Sequence, residues 1–228
     1  MNRWLPAITD TPVRKAALGI AGLAVVGGAF AGPIHTTIDT PTPTTTTAAA
    51  VQAVDARPAA QASKVLGYDY KAQENFYYCA PAATRIALSA QGHTPSQDEV
   101  AKQLGTTEAG TNSAEDTTRV LNTAGGKDYH TVAIPDPAAK PEQVDRLQTD
   151  LVHAIDTNRP VVANIKGTAT DVDGGTHSYE GGHYLTVVGY DDHGHKVKIA
   201  DPADPNNNEY WMTSTTLANW IAERGYSA

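Results

Sequence analysis

Gln73-Glu74-Asn75-Phe76-Tyr77-Tyr78-Cys79-Ala80-Pro81 carries the single cysteine of a 228-residue chain. The residues after it have helix-forming content, with Ala82, Ala83, Arg85, Ile86 and Leu88 running to Gln91 and a stop at Gly92. Cys79 therefore opens a helix, and Pro81 suits the first turn, where its missing N–H costs nothing. Unpaired N–H groups at a helix start carry partial positive charge, which favours thiolate over thiol. A lone cysteine is an inert buried residue, an intermolecular linker or a reactive group. This position favours the last.

Working outward, Ser96-Gln97-Asp98-Glu99 reads as a capping box that opens a short helix through Leu104. Ser113 to Ala124 is a third helix, closed by Gly125-Gly126. Between Pro141 and Asn158, Val144, Leu147, Leu151 and Ile155 recur at helical spacing. The strands come late: Pro160 to Ile165, His183 to Tyr190, Lys196 to Ala200 after the turn Asp191 to His195, and Glu209 to Met212. A last helix spans Ser214 to Ala222. Helices first and an antiparallel sheet afterwards predict an α+β domain over residues 63–228, long enough for one core.

The segment before that domain reads differently. Arg3, Arg14 and Lys15 precede a 15-residue apolar run from Ala16 to Phe30, and Ala29-Phe30-Ala31 supplies a small-x-small cleavage pattern. Residues 1–31 are thus expected to be a signal peptide, which makes the protein secreted. The run is short of the ~18–20 residues that spanning a bilayer needs, so a retained membrane anchor ranks second. Residues 32–62, rich in Thr, Pro and Ala, read as a disordered linker open to O-glycosylation. With Arg3, Arg14, Lys15 and Asp10 removed, the formal charge goes from −8 to −10. Such an acidic balance argues against nucleic-acid binding and against docking on anionic membranes.

Far downstream of Cys79 stand Gly182-His183-Tyr184 and Asp201-Pro202. Cysteine, histidine and a carboxylate are the material of a thiol nucleophile, its base and an orienting acceptor. The 18-residue gap from His183 to Asp201 fits strand–turn–strand, which keeps that pair adjacent. The Cys79 N–H and the Gln73 side-chain amide are candidate donors to an oxyanion. Tyr78, Tyr184 and Trp211, with Tyr77, are candidates to line a substrate groove. His193-x-His195 lacks a third metal ligand placed by spacing. Asp171-Val172-Asp173-Gly174 lacks the glutamate a calcium loop needs at its twelfth position, which is Gly182.

Gln-x5-Cys at a helix start, Gly-His-Tyr in a strand and Asp-Pro in the next strand resemble the papain-like cysteine peptidases of the bacteriocin-leader-processing, double-glycine type. Within that group the chain is similar to the stand-alone secreted domains. The phrase Asn158-Arg159-Pro160-Val161-Val162 resembles the segment before the central strands there. The resemblance implies a papain-like fold, Cys79 as nucleophile, His183 as base and acid, Asp201 as orienter and Gln73 as oxyanion donor. Two features depart from the pattern. Ala80 stands where glycine usually follows the cysteine, and 104 residues separate Cys79 from His183. The extra length falls in Asp171 to Gly181 and Thr106 to Gly126, which are expected to shape the cleft.

These readings converge on a secreted cysteine peptidase acting on peptide or protein substrates. It needs no cofactor or metal. A catalytically silent papain-fold binding module and a cell-wall peptidoglycan amidase remain the alternatives.

Overall fold

The computed structural model describes residues 61–228. The expected signal peptide and all but the last two residues of the linker lie outside the described residues. Along the described chain run β1 (Lys64–Val65), α1 (Cys79–Ser89), α2 (Gln97–Leu104), α3 (Ala114–Gly125), β2 (Thr131–Ile134) and α4 (Pro141–Asp156). They are followed by β3 (Val161–Thr170), β4 (Thr176–Asp191), β5 (Lys196–Ala200), β6 (Glu209–Thr213), α5 (Ser214–Ile221) and β7 (Arg224–Ser227). The strands form one antiparallel sheet in the order β2-β7-β3-β4-β5-β6, with β1 paired to β4. The architecture is the expected α+β one.

Alternation along β3 feeds both faces of this sheet. Val161, Ala163 and Ile165 pack with Leu147 and Leu151 of α4 and with Leu217 and Ile221 of α5. Val162 turns to the other cluster, among Ala83, Ala87 and Leu88 of α1, Val100 and Leu104 of α2 and Val120 of α3. Every α1 residue from Ala80 to Leu88 is buried. A helix enclosed on all sides needs small residues, and four alanines let α1 sit between the sheet and its two neighbours. The α2 capping box forms as expected: Ser96 Oγ accepts the Glu99 N–H, and Glu99 accepts the Ser96 N–H.

The sheet is larger than the sequence reading gives. β3 and β4 continue past the expected strands into a hairpin over residues 166–182, bulged between Ile165 and Gly167. Its side chains are mostly polar and exposed, and Thr168 and Ser178 hydrogen-bond across it at 2.8 Å. Its core-facing side offers only Ala169 and Tyr179 as apolar contacts, too few for a clear period-2 hydrophobic signal. β1, β2 and β7 were also unexpected; they are short and held by distant partners, β2 on β7 and β7 on β3. β1 crosses β4 closely at Gly189, where a Cβ would stand 2.7 Å from the Lys64 carbonyl oxygen. No described helix is long and apolar enough to cross a membrane.

Candidate active site

The start of α1 is left open by its own sequence. Tyr78, in the N-cap position, gives no side-chain cap, and the Cys79 N–H has no protein acceptor among the described residues. The approach to the helix is nonetheless fixed. Buried Gln97 donates Nε2 to the Ala72 carbonyl at 2.7 Å and accepts the Glu74 N–H at 3.0 Å. Arg85, buried in α1, pairs with Asp69 at 2.6 Å. The Gln73 N–H bonds the Pro202 carbonyl at 2.9 Å, tying the loop before Cys79 to the segment that begins at Asp201.

His183 lies in β4 opposite Ile165, directly after Gly182, whose φ of +92° suits glycine. Asp201 follows the end of β5, and β4–β5 pairing of Thr186 with Ala200 brings the two together. His183 Nε2 donates to Asp201 Oδ1 at 2.8 Å, and both residues are buried. With Nε2 committed, Nδ1 is the nitrogen left for the thiol. Oδ1 also accepts the Ala203 N–H at 2.9 Å, while Oδ2 accepts the Tyr179 hydroxyl at 3.0 Å and the Tyr210 hydroxyl at 2.8 Å. The Tyr179 ring stacks on the imidazole of His183, centroids 4.0 Å apart and planes 18° from parallel. The carboxylate is thus fixed on four sides and the imidazole covered on one face.

Charge follows from these contacts. Burial pushes the Cys79 thiol up, but the His183 imidazole and the N–H groups of Tyr184 and Ala80 outweigh it and hold the thiol below its ordinary range. Burial works against charge on His183 too, yet Asp201 and then Cys79 raise it to about 9. Burial pushes Asp201 up, and the bonds from His183, Ala203 and Tyr210 more than reverse that. All three shifts favour a thiolate, an imidazolium and a carboxylate in line.

Cys79, His183 and Tyr184 open onto one cavity of about 280 Å³, bounded also by Ala109 to Asn112, Asn164, Gly181, Gly182 and Arg224. Both segments expected to shape the cleft contribute, one through Ala109 to Asn112 and the other through Gly181. Of the four aromatics singled out in the sequence, Tyr184 borders this cavity, and Tyr77, Tyr78 and Trp211 do not. The Tyr78 hydroxyl donates to Asp98 of α2 at 2.8 Å, and half-buried Trp211 lies on β6, outside the lining. Gln73 donates Nε2 to the Asn75 carbonyl at 2.8 Å, leaving one N–H of that amide uncommitted, while its Oε1 is buried without a partner. The Ala80 methyl belongs to the buried cluster around α1, away from the cavity lining.

Tyr179, Tyr210 and Arg224 escaped the sequence reading. Period-2 spacing does put Tyr179 on a strand with His183, but Gly181-Gly182 between them reads as a strand end. A second buried pair lies nearby: His177 Nε2 meets Asp171 Oδ2 at 2.9 Å, and the His177 ring stacks 3.7 Å from that of Tyr210. Asp171 itself closes the hairpin turn by accepting the N–H groups of Asp173 and Gly175.

Among solved structures, the chain is similar to xylellain, a cysteine protease from Xylella fastidiosa, at 15% identity and a TM-score of 0.50, covering 74% of this chain and 86% of that one. It is similar to the peptidase domain of Streptococcus ComA, a bi-functional ABC transporter, at 17% identity and a TM-score of 0.48, covering 71% and 98%. It is also similar to the bromelain protease of Ananas comosus at 10% identity and a TM-score of 0.44, covering 73% and 97%. No curated protein matches. The fold is that of the papain-like cysteine peptidases. The peptidase C39-like family model matches residues 65–228, nearly the whole described chain, and the protein belongs to that family.

Proposed function

We propose that this protein is a secreted cysteine peptidase that hydrolyses peptide bonds through a thioester on Cys79. The observation that carries the reading is the line Cys79–His183–Asp201, with its carboxylate end fixed by four donors. The Cys79 thiolate attacks the scissile carbonyl carbon, forming a C–S bond and placing negative charge on the oxygen. The uncommitted Cys79 N–H faces that charge at the helix start, and Gln73 supplies a second donor from its remaining amide N–H. Imidazolium His183 gives its proton to the leaving nitrogen as the C–N bond breaks. The neutral imidazole then takes a proton from water, the resulting hydroxide attacks the thioester, and the C–S bond breaks to restore the thiolate–imidazolium pair. Asp201 holds the ring so that Nδ1 meets the sulfur throughout.

Export rests on the basic and apolar sequence of residues 1–31, which lies outside the described residues. A test uses a peptide library and purified cell walls side by side, with wild type and Cys79→Ala. Wild type should cleave peptides, and Cys79→Ala should lose about 10³-fold or more of that rate. Equal hydrolysis by both proteins would refute the role of Cys79. Release of amino groups from walls, with every peptide left intact, would instead identify the amidase.

A further inference from the structure

Arg224 borders the same cavity as Cys79. It has no aspartate or glutamate within ion-pairing distance among the described residues; of the described arginines Arg159 shares this, while Arg85, Arg119 and Arg146 each have such a partner, and Arg224 is the arginine on the cavity wall. Its only protein contact as a donor there is Nη1 to the Glu223 carbonyl at 3.3 Å, leaving most of its N–H groups uncommitted. A guanidinium on a cavity wall with most of its donors uncommitted is placed to meet an anionic group that enters the cavity. It stands out further in a chain with a formal charge of −8.

The backbone around Arg224 is held firmly. Glu223 adopts φ +61°, and its N–H is shared by the carbonyls of Ile134 and Asp136 at 2.8 and 3.2 Å. Arg224 then pairs with Ile134 as the first residue of β7. Asn164 and Asn112 border the cavity beside it and continue with it into an adjoining hollow. Planar donors of this kind match a carboxylate, which a guanidinium takes with two parallel hydrogen bonds.

We infer that Arg224 is the carboxylate-binding element of the substrate cleft, so that substrates carry an anionic group close to the bond cut at Cys79. This rests on the peptidase reading for its substrate, though not for its test. Two sources share the chemistry: an aspartate or glutamate side chain within the substrate, and a free C-terminal carboxylate. Glu223, beside Arg224, and Glu115, on the rim of the adjoining hollow, repel anions, so the preference depends on Arg224 itself.

The test compares alkylation of Cys79 by iodoacetate, which is anionic, and by iodoacetamide, its neutral counterpart. The ratio of the two rates is measured in wild type, Arg224→Gln and Arg224→Lys. His183 contributes to the ratio in every protein, so its change isolates Arg224. Arg224→Gln should lower the ratio about tenfold at low salt, and Arg224→Lys should restore part of it. An unchanged ratio in Arg224→Gln would overturn the inference. Any thiol reacts at pH 9, so the ratio is measurable even if the iodoacetamide profile shows Cys79 to be unactivated. That profile alone reports failure of the peptidase reading. Peptide pairs then separate the two sources. Preference for internal glutamate over glutamine supports a side chain. Preference for a free over an amidated C-terminus supports the terminal carboxylate, and neither preference counts against the inference.

Discussion

Asp201 receives His183, Ala203, Tyr179 and Tyr210 on its two oxygens, and this saturation lets a buried carboxylate stay ionised. Its hydrogen bond in turn is the leading contribution holding His183 protonated up to about 9 against burial, and its charge adds to that. Replacing Asp201 with asparagine keeps an acceptor for Nε2 but removes the charge, so the imidazolium should lose its proton at lower pH. In Asp201→Asn the alkaline limb of the pH profile should move down by about one unit or more, with activity falling more at pH 8.5 than at pH 6. A limb that stays near 9 would mean that Asp201 acts through geometry alone. The closeness of His183 and Asp201 was legible, because an 18-residue strand–turn–strand returns the chain beside itself. The stacking of Tyr179 was not, since two glycines hide the strand that carries it.

At the scale of elements, α1 and the β4–β5 pair were readable from local signals: an alanine-rich run ended by glycine, and β-branched alternation on either side of a polar turn. β7 depends instead on long-range pairing with β2 and β3, including Gly225 opposite Ala133, and the β3–β4 extension is a local hairpin whose polar run from Thr168 to Ser178 lacks a strong hydrophobic alternation. Those are the elements that complete the cleft, with Gly181 and Arg224 on its wall. β1 illustrates how little sequence such an element needs. Only two of its residues pair with β4, and Leu66 continues the contact through its N–H to the Val188 carbonyl at 2.9 Å. Gly189→Ala would drive a methyl group into Lys64 and Val65. The variant should lose about 1–3 kcal/mol by thermal or urea unfolding, with faster hydrogen exchange at Leu66. Unchanged stability and protection would show that β1 yields without cost.

Over the whole molecule, the fold brings a thiol and an imidazole separated by 104 residues onto the lining of one cavity. Neither group is unusual in an unfolded chain, where a thiol titrates near 8.5. Activation is therefore a property of the assembled sheet and its central helix, and it must vanish with them. The most direct measurement is the pH dependence of Cys79 alkylation by iodoacetamide, in wild type, in His183→Ala, and in wild type unfolded in urea. The Cys79 pKa is depressed and that of His183 raised, so the thiolate–imidazolium pair should persist from the lower value to the upper one. Native wild type should react rapidly well below pH 8.5, and that low-pH limb should disappear both in His183→Ala and in urea. A native thiol that reacts only near 8.5, or equally in all three samples, would contradict the pairing of Cys79 with His183.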